Sequence, residues 1–231
     1  MIPEPAHQFI NKSQPEAICV NEKILSIEIE NNQIRAVHTR NKRISCQQLV
    51  LATSLTATRQ LLKPLQSIPA VNQLINKISK INFQPIVTVY LVYETACKLP
   101  ELMSGILGGL SHWVFDHRLT GQENMLAVVI SGEGKHQEIS REELIEKIDN
   151  ELRSIFTLPK LIHGLVNLEK KATFDCVPGI NDFRPQQKTE IEGLYLAGDY
   201  TQTGYPSTLE GAIISGKKSA QIIKSLYPLC Q

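Results

Sequence analysis

The chain has 231 residues, 42% hydrophobic and 20% charged, with a formal net charge of +1. That balance is ordinary for a globular protein and gives no electrostatic reason to expect a nucleic-acid partner. No apolar run reaches the roughly 18 residues that a membrane span needs, and the start, MIPEPAHQFINK, lacks the basic-then-apolar order of a signal peptide.

Residues 17–52 read as strands. ILSIEIE (24–30) and IRAVH (34–38) alternate apolar and polar residues, with turn chemistry between them. QQLVLAT (47–53) is more continuously apolar, as in a strand covered on both faces of a parallel sheet. TATRQLL (56–62) reads as a short helix. The expectation is an antiparallel meander that returns into a covered sheet.

The middle of the chain mixes sheet and helix. PIVTVYLVY (85–93) is a strand rich in β-branched and aromatic residues, and HWVFD (112–116) and MLAVVIS (125–131) are two more. SREELIEKIDNELRSIF (140–156) predicts a helix. Ser140 and Glu143 form a capping box, Ile139 and Leu144 a hydrophobic staple, and Leu144, Ile148, Leu152 and Ile155 the apolar stripe. HGLVNLEKKATFDC (163–176) reads as one or two strands.

The last forty residues are strand, loop and helix. Gly193 starts a turn and Leu194–Ala197 form a short buried strand that runs into Gly198-Asp199. Ser207 and Glu210 make a second capping box, and the helix is expected to bury Leu209, Ile213, Ala220, Ile223 and Leu226. Gly211 and Gly216 each cost that helix about 1 kcal/mol relative to alanine. Gly216 reads as packing against the sheet.

Cys19, Cys46, Cys97, Cys176 and Cys230 are odd in number and form no CxxC pair, so free thiols in a reducing compartment are expected. His112, Asp116 and His117 lack the frame of a zinc site, so no metal is expected.

Ligands of open α/β sheets bind beyond the carboxyl ends of strands. Asp199 stands at such an end, where it can accept hydrogen bonds from a sugar or ribityl hydroxyl. The free N–H groups of the first helical turn, Thr208 to Gly211, form a partly positive site. Singly, these features also describe a loop acid, an ordinary helix start and packing glycines.

AGDYTQTGYPSTLEGAIISGKKSA (197–220) resembles the C-terminal flavin signature of the flavin-containing amine oxidase and phytoene desaturase superfamily. There, an AG[DE] strand end precedes an EGA…SG helix. Within it, PIVTVYLVYE, HWVFDHRLTGQ and LAVVISGEGKH are most similar to the hydroxysqualene dehydroxylase subfamily. The resemblance implies α/β architecture with α+β character: the C-terminal part of a two-domain, FAD-binding, Rossmann-like fold of the amine oxidase type. Its cofactor is FAD. Asp199 would hold the ribityl or pyrophosphate part, with Gly198 giving room. Thr208, Leu209, Gly211 and Ala212 would lie along the isoalloxazine. Ile24 would meet adenine through its backbone, and Ala52 and Thr53 would run beside the cofactor. The expected domains are a FAD-domain meander and returning strand (1–63), a substrate domain (64–190) and a FAD-binding strand–loop–helix (191–231).

The family also opens on a GxGxxG turn that cradles pyrophosphate. The only GxG here is Gly132 to Gly134. The expectation is therefore a fold whose first βαβ unit is missing, from a split or truncated reading frame or in a chain that works with a separate N-terminal FAD-domain chain. The implied reaction is reductive dehydroxylation of hydroxysqualene, a polyprenoid substrate, to squalene. Tyr90, Trp113 and Phe115 are candidate aromatic faces for a carbocation, or core residues. Asp116 is a candidate proton donor, or a turn and salt-bridge residue. A cytoplasmic protein with peripheral contact at the inner face of the membrane is expected. LPELMSGILGGL (99–110) reads as a lipid-facing entry or a buried loop. The other readings are a carotenoid-type desaturase, an amine oxidase, and a non-catalytic remnant or binding module without flavin. Thr208 and Leu209 stand where amine oxidases commonly carry an aromatic residue, which argues against amines.

Overall fold

A computed structural model describes residues 3–227. In chain order the elements are α1 (Pro3–Ser13), β1 (Ser26–Glu30), β2 (Gln33–His38), β3 (Arg43–Ser45), β4 (Leu49–Leu51), α2 (Leu55–Leu62), α3 (Pro69–Ile78), β5 (Phe83–Tyr93), β6 (Met103–Gly105), β7 (Trp113–Asp116), β8 (Met125–Ser131), α4 (Arg141–Ile155), β9 (Leu161–Phe174), β10 (Leu194–Leu196) and α5 (Leu209–Leu226). The chain divides into two compact units: one runs up to Lys80 and resumes at Gly179, the other is Ile81–Pro178.

In the first unit β1, β2 and β3 form the antiparallel meander. Glu28 ties it together, accepting from Arg43 at 2.7 and 2.9 Å and lying 2.9 Å from His38 Nε2. β4 then pairs in parallel with β10, Leu49–Leu51 beside Leu194–Leu196. Gly193, at φ +79°, makes the turn into β10. One face of this pair is less covered than expected, since Val50 is 37% exposed. Pro69 at the first turn and Val71, Ile75 and Ile78 on one face make α3, a helix the sequence reading passed over. α3 packs on α2, and the Arg59 guanidinium of α2 donates to the Ile78 carbonyl.

The expected boundaries at 63/64 and 190/191 thus differ from those of the folded units, at 80/81 and 178/179. α3 belongs with α2, and residues 180–190 are tied to the loop after β10 by side chains described below.

The second unit is a five-stranded antiparallel sheet in the order β6-β7-β8-β5-β9. Residues 163–176 supply one long strand rather than two, with its pairing shifted at Gln84/Ile86. Val87, Val89, Leu91 and Tyr93 of β5 alternate into a core shared with Val114, Leu126, Val128 and Ile130. α4 covers that face with Leu144, Ile148 and Leu152, and Ile139 packs there as the staple requires. Ser140 Oγ accepts from the Glu143 N–H at 3.1 Å, the expected cap. Ile155 is the exception in its stripe, at 51% exposed. Gly164 permits the close approach of α4: a Cβ there would meet Ile145 Cγ2 at 2.6 Å.

Candidate functional site

β4 and β10 end side by side, with the Ala197 N–H donating to the Leu51 carbonyl at 3.0 Å. This brings Ala52 and Thr53 to one carboxyl edge with Gly198 and Asp199. α5 docks under that edge by small residues. Gly211, Ser215 and Ser219 are its buried positions. Ser215 Oγ accepts from the Gly198 N–H at 2.7 Å and donates to the Ala212 carbonyl at 2.6 Å. Ser219 Oγ donates toward the Leu196 carbonyl at 2.9 Å.

The helix therefore does not bury the stripe expected of it. Leu209 is 77% exposed, Ile213 46% and Leu226 46%, Ala220 is exposed and Ile223 only half-buried. Serine hydroxyls bonded to the strand end fix the rotation of α5, and that turns its apolar side outward. Gly216 is not packed either, since a Cβ there would meet nothing within 4 Å. The cap is also one residue later than expected. Thr208, not Ser207, is the N-cap, its Oγ1 accepting from the Gly211 N–H at 3.1 Å. Ser207 instead donates to Asp199 Oδ2.

The two glycines serve the protein's own packing. A Cβ on Gly198 would lie 2.5 Å from Tyr200 Cε1, so the missing side chain at 198 makes room for that ring. Tyr200 is 1% exposed, and its hydroxyl lies 3.0 Å from Thr58 Oγ1, which is 2.8 Å from Thr53 Oγ1. Burial raises its pKa to about 12. A Cβ on Gly211 would lie 3.1 Å from the Pro206 carbonyl, so that glycine lets the loop close over the helix start.

That loop is held by two residues the sequence reading missed. Arg184, 3% exposed, donates to the carbonyls of Asp199 and Thr201 and to Thr203 Oγ1, the first and last at 3.0 Å. Gln187 donates to Thr201 Oγ1 at 3.1 Å and the Gln202 carbonyl at 3.0 Å.

The edge thus assembles Ala52, Thr53, Gly198, Asp199, Thr208, Leu209, Gly211 and Ala212. Ile24 is not brought to it by any recorded bond: it precedes β1 and is half-buried. The donor set suits a ligand with hydroxyls and a flat apolar ring. It offers a half-buried carboxylate, first-turn N–H groups that the Thr208 cap leaves free, and the exposed side chain of Leu209.

In the second unit, directly opposed residues form rows across the sheet. One row is Met103, Phe115, Ala127, Tyr90 and Leu165. The next is Gly105, Trp113, Val129, Thr88 and Asn167. Tyr90, Trp113 and Phe115 therefore share the face opposite α4, and they are not members of the buried core. Trp113 is 44% exposed, and Tyr90 meets His117 edge-on with ring centroids 6.4 Å apart. Asp116 is separated from them. It points to the α4 side, 7% exposed, and accepts from the N–H groups of Leu99 at 3.0 Å and Arg118 at 2.9 Å, so it caps a turn.

Of the segment 99–110, Leu99 is buried and Leu107 is 98% exposed. Ser111 anchors its far end, donating from N and Oγ to Glu151 Oε2 at 3.0 and 2.6 Å. Among the described residues, Cys19, Cys46, Cys97 and Cys176 are free, while Cys230 lies outside them. Also among them, no helix is long and apolar enough to cross a membrane, and no cluster of three His, Cys, Asp or Glu residues could hold a metal.

Comparison with known proteins agrees with this architecture. The chain is 30% identical over 144 residues to a hydroxysqualene dehydroxylase of Zymomonas mobilis, covering 62% of this chain and 33% of that protein. It is 34% identical over 115 residues to a 15-cis-phytoene desaturase of Solanum lycopersicum, covering 46% and 20%. The chain thus spans about a third or less of the length of these relatives. A Methanosarcina mazei oxidoreductase shares the fold at a TM-score of 0.69 and 13% identity, over 94% of this chain and 53% of that one. The model of the family described as flavin-containing amine oxidoreductase, a description that implies a flavin cofactor, matches residues 2–224. The chain belongs to that family.

Proposed function

We propose that the carboxyl edge of β4 and β10, with the start of α5, holds FAD in an oxidoreductase that converts hydroxysqualene to squalene. What carries this reading is the convergence at one edge of Asp199, the strand ends Ala52-Thr53 and the amino end of α5, in a chain of the flavin family with a hydroxysqualene dehydroxylase among its relatives. When bound, reduced flavin supplies a hydride, so that R–OH, a proton and the hydride give R–H and water. Asp199 would accept from the sugar-alcohol hydroxyls. The free N–H groups after Thr208, with the helix dipole behind them, would favour negative charge on the ring. Ala52, Thr53, Leu209, Gly211 and Ala212 would lie along the cofactor. Tyr90, Trp113 and Phe115 would exclude water from the hydrocarbon and stabilise positive charge by roughly 0.5–2 kcal/mol per ring. Asp116, with each carboxylate oxygen accepting from a backbone N–H, would hold the turn after β7.

A separate N-terminal polypeptide is part of this reading. The outward apolar side of α5, with Leu209 and Ile213, and the uncovered Val50 support such a partner. The substrate class supports contact with a membrane surface.

The desaturase relative favours a second reading, dehydrogenation of a carotenoid precursor, and product analysis separates the two. The chain, combined with the N-terminal polypeptide of a hydroxysqualene dehydroxylase and FAD, is given hydroxysqualene, phytoene or an amine. Squalene is the expected product. A desaturated carotenoid or an oxidised amine, with no squalene, would reject the proposal.

A further inference from the structure

A cavity lies within the sheet unit, on the face covered by α4. Val87, Leu144 and Val166 belong to the buried core. They also wall this cavity, of about 490 Å³, together with Ile139, Leu168 and the ring of His136. That volume is in the range of small-molecule sites. His136 is 6% exposed, and its Nε2 has no hydrogen-bond partner among the described residues. Buried polar atoms are almost always paired, so an unpaired one in a cavity wall points to a group that the chain does not supply. Burial, and the neighbouring His112, push the His136 pKa down, and an imidazole Nε2 can serve as a hydrogen-bonding group.

The rim is charged. Arg141 and Lys170 border the cavity against a single acid, Glu133. Arg141 is also the first residue of the 15-residue α4, whose amino end adds partial positive charge. An apolar wall, two cations and one buried, unpaired imidazole nitrogen match a particular ligand chemistry. We propose that this cavity binds a small amphiphile, its hydrocarbon tail against Val87, Leu144 and Leu168 and its carboxylate or phosphate head bonded by Arg141, Lys170 and His136. The site uses none of the residues assigned to FAD and lies on the opposite face of the sheet from Tyr90, Trp113 and Phe115. Its failure would leave the proposed reaction untouched.

Calorimetric titration of the full chain tests this, with dodecanoate, dodecyl phosphate and dodecyltrimethylammonium, each below its micelle concentration. Saturable one-to-one binding of an anion is expected, and the tighter of the two anions identifies the head. The cation should bind at least about tenfold more weakly, and Lys170→Glu should weaken the anion about tenfold, the loss of one charge-assisted contact. Leu168→Trp fills the cavity from a partly exposed strand position and should abolish binding. The His136 imidazole nitrogen resonances should move on saturation. Absence of saturable binding, as for a cavity covered by polypeptide, would overturn the proposal. So would equal uptake of the cation, binding that survives both variants, or unmoved His136 resonances.

Discussion

Tyr200 occupies the space that any side chain at position 198 would need, and this explains a glycine that a signature alone attributes to the cofactor. Gly198→Ala should cost about 1–3 kcal/mol through overpacking. Shrinking the ring with Tyr200→Leu should remove much of that increment, so a double-mutant cycle by urea denaturation should show coupling. The same ring gives a pH signature. The folded phenol ionises at about 12 against 10.0 for an ordinary tyrosine, so its contribution is whole below pH 10 and is lost as pH rises toward 12. Ionising the buried phenol across that window should remove about 2–3 kcal/mol of stability. Tyr200→Phe should lose about 1 kcal/mol at neutral pH with the Thr58 bond, and its stability should fall less between pH 10 and 12. Asp199→Ala should weaken FAD binding by about 1.5–3 kcal/mol for each hydroxyl bond lost, read by flavin fluorescence titration. Asp199 was legible in the sequence because an acid after an apolar strand marks a carboxyl edge. Arg184 was not. Its environment is made by carbonyls 15 and 17 residues downstream, and nothing in DFRPQQ separates it from a surface loop.

At the scale of elements, α5 shows how an apolar stripe can mislead. Leu209, Ile213, Ala220 and Leu226 suggest a buried side, yet the helix lies on Gly211, Ser215 and Ser219. The signal was present as small residues at i, i+4 and i+8, a pattern that permits close approach to a strand. It was outranked by hydrophobicity because a sequence does not say which surfaces find cover. Ser219→Leu should overpack this contact and cost about 1–3 kcal/mol, measured by thermal or urea unfolding. α4 was legible to within a residue because its cap, staple and stripe agree, and Ile139, Leu144, Ile148 and Leu152 pack against one sheet. Ser140→Ala should cost it about 1 kcal/mol.

At the scale of the molecule, most strands and the helices α2, α4 and α5 followed from local pattern, whereas α1, α3, β3, β6 and the grouping into units did not. α3 and the segment 180–190 join the β4–β10 unit through contacts far apart in sequence, which local pattern does not encode. The outward apolar side of α5 gives this unit a surface suited to the proposed N-terminal polypeptide. Replacing Ile213 with lysine should change stability by no more than about 0.5 kcal/mol, as at other exposed positions, while weakening association with that polypeptide in analytical ultracentrifugation. In the proposed function, one strand edge and one helix start receive the flavin. Amide hydrogen exchange with and without saturating FAD, on the chain joined by the N-terminal polypeptide, tests it directly. New protection is expected at residues 52–53, 198–199 and 208–212. Protection confined to other segments, or none while FAD stays bound, would contradict it.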